Sequence, residues 1–281
     1  EEEIVVTSGA TAGLNLLATA FGNASLGRGG EAARRFCLKP GDEIVVSKAA
    51  HHSVLLPFQE LAVRTGATLK WFDLDSDGRI LSNTADEVIT ERTKIVAVTH
   101  VGNTTGAITD IAPIVKRAHE VGAVVVLDAC QSVPHLKIDL HALDVDFAAW
   151  SAHKMYGPTG VGFLYGKRDM LEALPPANFG GSMVELAWMD QEAQYMAPPA
   201  RFEAGTQPVA QVVAAGVAAE WLMNIGMENL EAHERVIAGE LLKMGQIDGV
   251  RILGPQTNEQ RIGTVAFEID GVHPHDVGQF I

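Results

Sequence analysis

Apolar positions along the chain alternate between two kinds of pattern. Short runs rich in β-branched residues recur over 3–7, 43–47, 68–72, 94–99, 124–128, 146–150 and 161–165, and they predict strands. Between them, 54–64, 83–89 and 111–120 carry apolar residues at helical spacing and predict helices, each closed by a glycine or a charged turn. This alternation predicts an α/β fold, a mostly parallel sheet covered by helices. Glycines then cluster over 157–162 and at Gly180-Gly181, followed by a long apolar-rich helix over 209–224 and another over 228–246. Runs at 250–253 and 263–268 read as strands of a second, antiparallel unit, so the chain divides into a domain over 1–247 and the start of another over 248–281. The stretch 22–41, rich in Gly and Arg, reads as a loop.

Composition narrows the partners. Of 281 residues, 47% are hydrophobic and 20% charged, which is globular composition, and apolar runs such as 122–127, which ends at Asp128, stop well short of the roughly 18 residues a membrane span needs. A balance of 21 basic against 35 acidic residues, −14 in all, argues against nucleic acid and against an anionic membrane surface as partners. Cys37 and Cys130 are far apart and form no metal-binding or disulfide pattern, which predicts a reducing compartment, the cytoplasm. The acidic start Glu1-Glu2-Glu3 is unlike a targeting segment. The chain opens without Met directly before Ile4-Val5-Val6 and stops at 276–281 within a helical pattern, so it reads as an internal piece of a longer protein.

In open α/β sheets, ligands sit beyond the carboxyl ends of the strands. The first strand is followed by Thr7-Ser8-Gly9-Ala10-Thr11-Ala12-Gly13, a small-residue turn into a helix whose free N–H groups suit a phosphate, although any glycine-rich strand-to-helix turn looks alike. His51-His52 follow the second strand, His100 and Asn103 the fourth, Asp128 and Gln131 the fifth. A carboxylate closing the run Val-Val-Val-Leu-Asp is costly unless a cation or donors meet it. The sixth strand leads into Ser151-Ala152-His153-Lys154 and a glycine turn, and no other lysine of the chain has this setting. Desolvation lowers a lysine pKa, which suits an amine that forms a Schiff base. With Asp128 to pair with a pyridinium nitrogen and the phosphate-fit turn, these parts match a site for pyridoxal phosphate (PLP).

The same residues carry a family resemblance. Thr7–Asn15, the run His51-His52-Ser53-Val54-Leu55-Leu56-Pro57-Phe58-Gln59, Thr99-His100-Val101-Gly102-Asn103, Asp128-Ala129-Cys130-Gln131, Ser151-Ala152-His153-Lys154-Met155-Tyr156-Gly157-Pro158-Thr159-Gly160, Gly180-Gly181-Ser182-Met183 and Arg201-Phe202-Glu203-Ala204-Gly205-Thr206 resemble the SUF-type (group II) cysteine desulfurases of the class V aminotransferase family. The resemblance spans nearly the whole chain and implies a fold-type I PLP-dependent transferase large domain with a mostly parallel central sheet, plus the beginning of a small C-terminal α+β domain. It implies that Lys154 holds PLP and moves protons, that Asp128 pairs with the ring nitrogen, that His51 stacks on the ring, and that Asn103 and Gln131 hydrogen-bond its O3′. Ala10, Thr11, Ala12, Ser151 and His153 would hold the phosphate, with Thr206 reaching it from the other subunit of a homodimer.

The implied reaction takes L-cysteine to L-alanine, its sulfur passing as a persulfide to a SUF-type acceptor protein for iron–sulfur cluster assembly. The resemblance places the nucleophilic cysteine in an R-x-G-x-x-C type segment beyond Ile281, together with the substrate-carboxylate arginine, and neither Cys37 nor Cys130 matches it. Cys130 reads as a packing residue behind the ring. Ala50 stands where the family commonly has an acid and Ala12 where it often has Glu, which leaves substrate preference open. Selenocysteine lyase, another class V enzyme, and a PLP-binding piece without turnover are the alternative readings.

Overall fold

A computed structural model describes residues 2–281; Glu1 lies outside them. Seven strands form the central sheet: β1 (Ile4–Thr7), β2 (Glu43–Ser47), β3 (Thr68–Phe72), β4 (Thr93–Thr99), β5 (Val124–Asp128), β6 (Phe147–Ser151) and β7 (Gly162–Gly166), in the order β1-β7-β6-β5-β4-β2-β3. The expected strands thus form within one or two residues of their predicted ends. Only β7 runs against its neighbours, pairing antiparallel with both β1 and β6, while the other pairs are parallel. Six strands therefore point the same way. The carboxyl ends of β1, β6, β5, β4 and β2 share one edge of the sheet.

Helices α1 (Ala10–Ser25) and α2 (His52–Thr65) cover one face, and α3 (Ala85–Val88) and α4 (Ala112–Glu120) the other. Adjacent residues on a strand face opposite ways. Val46, Ala97, Val126 and Ala149 accordingly join Leu14, Leu17, Phe21, Phe58 and Leu61 in one core, whereas Val45, Val96, Val125 and Ala148 join Ile89, Ile114 and Val115 in the other. All five residues of β2 and of β5 are buried, as strands covered on both faces are. A third cluster packs Ala152, Met155 and Val161 against α7 (Val209–Ile225) and Leu230 of α8 (Met227–Leu242).

Several sequence expectations shift. The helix predicted over 83–89 is a 3₁₀ turn, Ser82–Thr84, followed by the single-turn α3, and Thr84 Oγ1 donates to Leu81 O at 2.7 Å, a local bond of the kind that competes with helix extension. The predicted loop over 22–41 begins inside α1, which runs to Ser25, and includes a 3₁₀ turn at Ala32–Phe36 whose Ala33 and Phe36 are buried. Two short helices, α5 (Ser132–His135) and α6 (Arg168–Ala173), and a hairpin of β8 (Val184–Leu186) with β9 (Gln194–Tyr195) went unpredicted. They are too short to show a period. The apolar-rich α7 buries Ala215, Ala218 and Leu222 and exposes Val209, Val213, Val217 and Trp221. No single helix among the described residues is long and apolar enough to cross a membrane.

Beyond a 3₁₀ turn at Lys243–Gln246, β10 (Val250–Leu253) and β11 (Ala266–Ile269) form an antiparallel ladder outside the central sheet, followed by α9 (Pro274–Phe280).

The seam between β1, β7 and β6 is unusually tight. Gly162 pairs with both Thr7 and Ser151, and a Cβ on it would lie 2.5 Å from Gly9 Cα and 2.6 Å from Trp150 O. Both obstacles are backbone and cannot swing away. We expect Gly162→Ala to lower unfolding free energy by about 1–3 kcal/mol in urea titrations.

Candidate active site

The shared strand edge builds a cleft of about 220 Å³ lined by Ala10, Thr11, His51, Asn103, Asp128, Gln131, Ser151, His153 and Lys154, with Leu14, Ser53, Val101 and Cys130 completing the wall. Nine of the sequence-chosen residues thus meet in one place, although 144 positions separate Ala10 from Lys154. Ala12 and Thr206 are not among the lining residues. Successive helical residues are rotated by about 100°, so Ala10, Thr11 and Ala12 do not share a face. Thr206 is exposed on the loop before α7.

The first wall is the amino end of α1. Its N-cap is Gly9, at φ 145°, with no capping side chain and no acid in the first turn. Ala10 N–H donates to Ser151 Oγ at 2.9 Å and Gly13 N–H to Gly9 O, which leaves the Thr11 and Ala12 N–H groups without partners in the helix. These free donors and the positive end of the helix dipole favour an anion. Ser151 Oγ, occupied as an acceptor, keeps its own proton to donate in the same direction.

A hydroxyl relay joins this wall to the next. His51 caps α2, its Nδ1 accepting the Ser53 N–H at 3.1 Å, which assigns the ring proton to Nε2 in the neutral imidazole. Ser53 Oγ lies 3.0 Å from the same Nδ1 and 2.6 Å from Thr11 Oγ1. Sequence reasoning quoted Ser53 inside a motif and gave it no role. Its signal is the polar residue two places after an N-cap, the position that faces the cap side chain.

Asp128 ends β5 buried, at 6% exposure. Its Oδ1 accepts the Cys130 N–H at 3.0 Å, and no lysine, arginine or histidine pairs with it among the described residues. A carboxylate buried against a cleft with one backbone donor is suited to a cationic group entering that cleft. Cys130 shares this wall; burial above all, with the Asp128 charge beside it, pushes its thiol up to about 12 against the opposing pull of Lys154. The thiol stays protonated at neutral pH.

Lys154 is half-buried on a 3₁₀ turn, Ala152–Lys154, that directly follows β6. The turn is closed by Met155 and Gly157 N–H groups donating to Ala152 O, and Tyr156 adopts a left-handed φ of 63° to allow it. Across the sheet edge, His100 follows β4 and is buried, its N–H donating to Asp128 O and its Nδ1 without a partner. It stands behind the cleft wall rather than in it.

The model of the aminotransferase class-V family matches residues 1–281. The chain belongs to the aminotransferase class-V family. Within it, the chain is 47% identical to a probable cysteine desulfurase 2 of Mycobacterium leprae and 42% identical to a probable cysteine desulfurase of Streptomyces coelicolor, each time over 100% of this chain and 65% of the relative. The fold is similar to the crystal structure of the cysteine desulfurase CsdA of Escherichia coli, with a TM-score of 0.86 at 35% identity over 98% of this chain and 65% of that one. The apo cysteine desulfurase of Thermococcus onnurineus gives a TM-score of 0.89 at 33% identity, over 99% and 66%. This class-V chain therefore spans about 65% of the length of the curated relatives it matches.

Burial holds the His100 imidazole neutral, lowering its pKa from 6.5 to about 4 against the opposing charge of Asp110. Unfolded chains protonate this histidine near 6.5 while the folded chain does not, so its contribution to stability is present above that pH and is lost as pH falls towards 4. We expect denaturant titrations to show a loss on the order of 3 kcal/mol between those pH values that His100→Leu removes.

Proposed function

We propose that this chain is the cofactor-binding part of a PLP-dependent cysteine desulfurase, which takes L-cysteine to L-alanine and passes the sulfur on as a persulfide for iron–sulfur cluster assembly. The observation that carries the reading is the convergence, in one small cleft, of the half-buried Lys154, the buried and cation-free Asp128 and the uncapped amino end of α1. The naming of relatives with 37–47% identity as cysteine desulfurases supports the choice of substrate.

The donor set fits PLP. Unpaired N–H groups of Thr11 and Ala12, with the Thr11 and Ser151 hydroxyls and His153, suit a phosphate dianion, and Asp128 suits a protonated ring nitrogen. Bound there, PLP supplies an electron sink for the charge left at an amino acid Cα when its proton departs. Lys154 would hold the group and supply Nζ as the base that takes the Cα proton. Asp128 would keep the ring nitrogen protonated. His51, its imidazole oriented by Ser53, would stack on the ring, and Asn103 and Gln131, which line the same cleft, would hydrogen-bond its O3′.

The sulfur acceptor is a further cysteine of the whole protein. Cys130 keeps its proton, with a pKa pushed up to about 12, and Cys37 donates to Ala24 O at 3.1 Å away from the cleft. Thr206 is exposed and outside the cleft, which is compatible with a role toward a second copy, and we read the working form as a homodimer delivering sulfur to a SUF-type acceptor in the cytoplasm. We read 1–247 as the unit that holds the cofactor and 248–281 as the start of the smaller one.

Absorption spectra of the full-length protein test this reading. PLP should give a visible band that changes on adding L-cysteine, with alanine formed in the same tube. Lys154→Ala should keep the wild-type melting temperature and lose the lysine-dependent band; Asp128→Ala should retain the cofactor and lose at least about 100-fold in alanine formation. Persistence of the same band in Lys154→Ala would refute the assignment of the lysine.

A further inference from the structure

The segment that follows β10 turns back onto the loop bearing Asn103. Arg261 lies there at 5% exposure, and its guanidinium donates to four backbone carbonyls: Thr264 O at 2.5 Å, Pro255 O at 2.6 Å, Ile262 O at 3.2 Å and Thr105 O at 3.4 Å. No carboxylate pairs with it among the described residues, and the charge nearest in effect is another cation, Arg79. A buried cation without a counter-ion is costly unless its donors are met, and here carbonyls meet them. An apolar side chain of similar size would avoid the cost altogether. What it could not do is join several carbonyls of two separate segments, which the rigid guanidinium fork does.

The two segments are also stitched by backbone. Ile108 N–H donates to Gln260 O and Ile262 N–H to Gly106 O, both at 2.9 Å, with Ala107 and Arg261 paired antiparallel. Close approach depends on two glycines in left-handed conformation: a Cβ on Gly254 would meet Thr105 Cβ at 2.6 Å, and one on Gly106 would meet Thr264 O at 2.5 Å. From the other side Arg79 donates to Glu259 O and Gln260 O. The loop thus held is short and closed on itself, Gly102 N–H donating to Ala107 O and Gly106 N–H to Gly102 O. Asn103, a lining residue of the cleft, is inside that closed loop.

We propose that Arg261 is a positioning residue for the cofactor site: from the second unit it fixes the loop 102–107 and thereby the place at which Asn103 enters the cleft. The inference rests on the PLP reading of that cleft. It makes the segment after β10 part of the site's geometry although none of its residues lines the cleft. Coupling of this kind is reciprocal, so a cofactor engaged by Asn103 must in turn tighten the clamp.

Hydrogen exchange on the full-length protein, with and without PLP, reads the coupling directly. We expect the Ile108 and Ile262 amides to exchange about fivefold or more slowly once PLP is bound, while those of α9 are unchanged. Arg261→Lys keeps the buried charge and loses the fork; it should weaken PLP about tenfold, as for one lost hydrogen bond to the cofactor, and should add nothing further in an Asn103→Ala background. If PLP gives its band in the unmodified protein but leaves both amides unaltered, the inference is overturned, and this measurement stands even if Arg261→Lys fails to fold. A folded Arg261→Lys protein with a lowered melting temperature and unchanged PLP affinity also overturns it, leaving the arginine a structural role alone. Absence of any PLP band in the unmodified protein overturns instead the reading of the cleft, and this inference with it.

Discussion

The candidate site depends on one backbone contact, the approach of Gly162 to Gly9 where β7 runs between β1 and β6. Because β7 is antiparallel to both, it lets β1 and β6 point the same way while remaining bonded to each. The turn after β1 therefore arrives beside the turn after β6. Ser151 and Ala10 can bond across it, and the free amino end of α1 comes to face the strand edge that carries Lys154. A side chain at Gly162 would separate these two walls, and one at Gly9, at φ 145°, would be strained and would crowd Ser151 Oγ at 3.2 Å. The glycines are thus a condition for the cleft as well as for the sheet.

Against this rigid frame the cleft holds groups that the protein leaves incompletely paired. Among the described residues Asp128 has one backbone donor and no cation, the Thr11 and Ala12 N–H groups of α1 have no partner in the helix, and Lys154 is half-buried on a turn whose Tyr156 has a left-handed φ. Two other buried acids of the chain are met by cations. Asp146, also buried, meets His119, Lys167 and the Val125 N–H, and its carboxyl is held below the ordinary range by those partners against the opposing effect of burial. Glu43 is met by Arg92 and Thr90. An anion-binding helix end, a half-buried amine and a buried carboxylate without a cation, collected at one strand edge among the described residues, together suit a ligand that would complete them.

The second unit adds support from behind. Its β10–β11 ladder is separate from the main sheet, yet Arg261 and the glycines beside it reach the loop of Asn103. Ser53 does the equivalent for His51 and Thr11 on the opposite wall. Both act through hydrogen bonds to groups that line the cleft, and such supporting contacts decide how narrowly a site is defined.

Periodicity alone determined the seven strands of the central sheet and the order of its main covering helices, because buried parallel strands need continuous apolar runs and covering helices need one apolar face. The chemistry of the strand ends was equally legible: Lys154, Asp128, His51 and Asn103 each follow an apolar run, and the direction of a parallel sheet puts such residues on one edge. Tertiary structure decided what depends on residues distant in sequence. The reversed direction of β7 is set by its two neighbours, Ser53 gains its role from contact with Thr11, 42 positions away, and Thr105 lies 156 positions from Arg261. No local pattern encodes those pairings, since each is fixed by which segments the folded chain brings within hydrogen-bond reach.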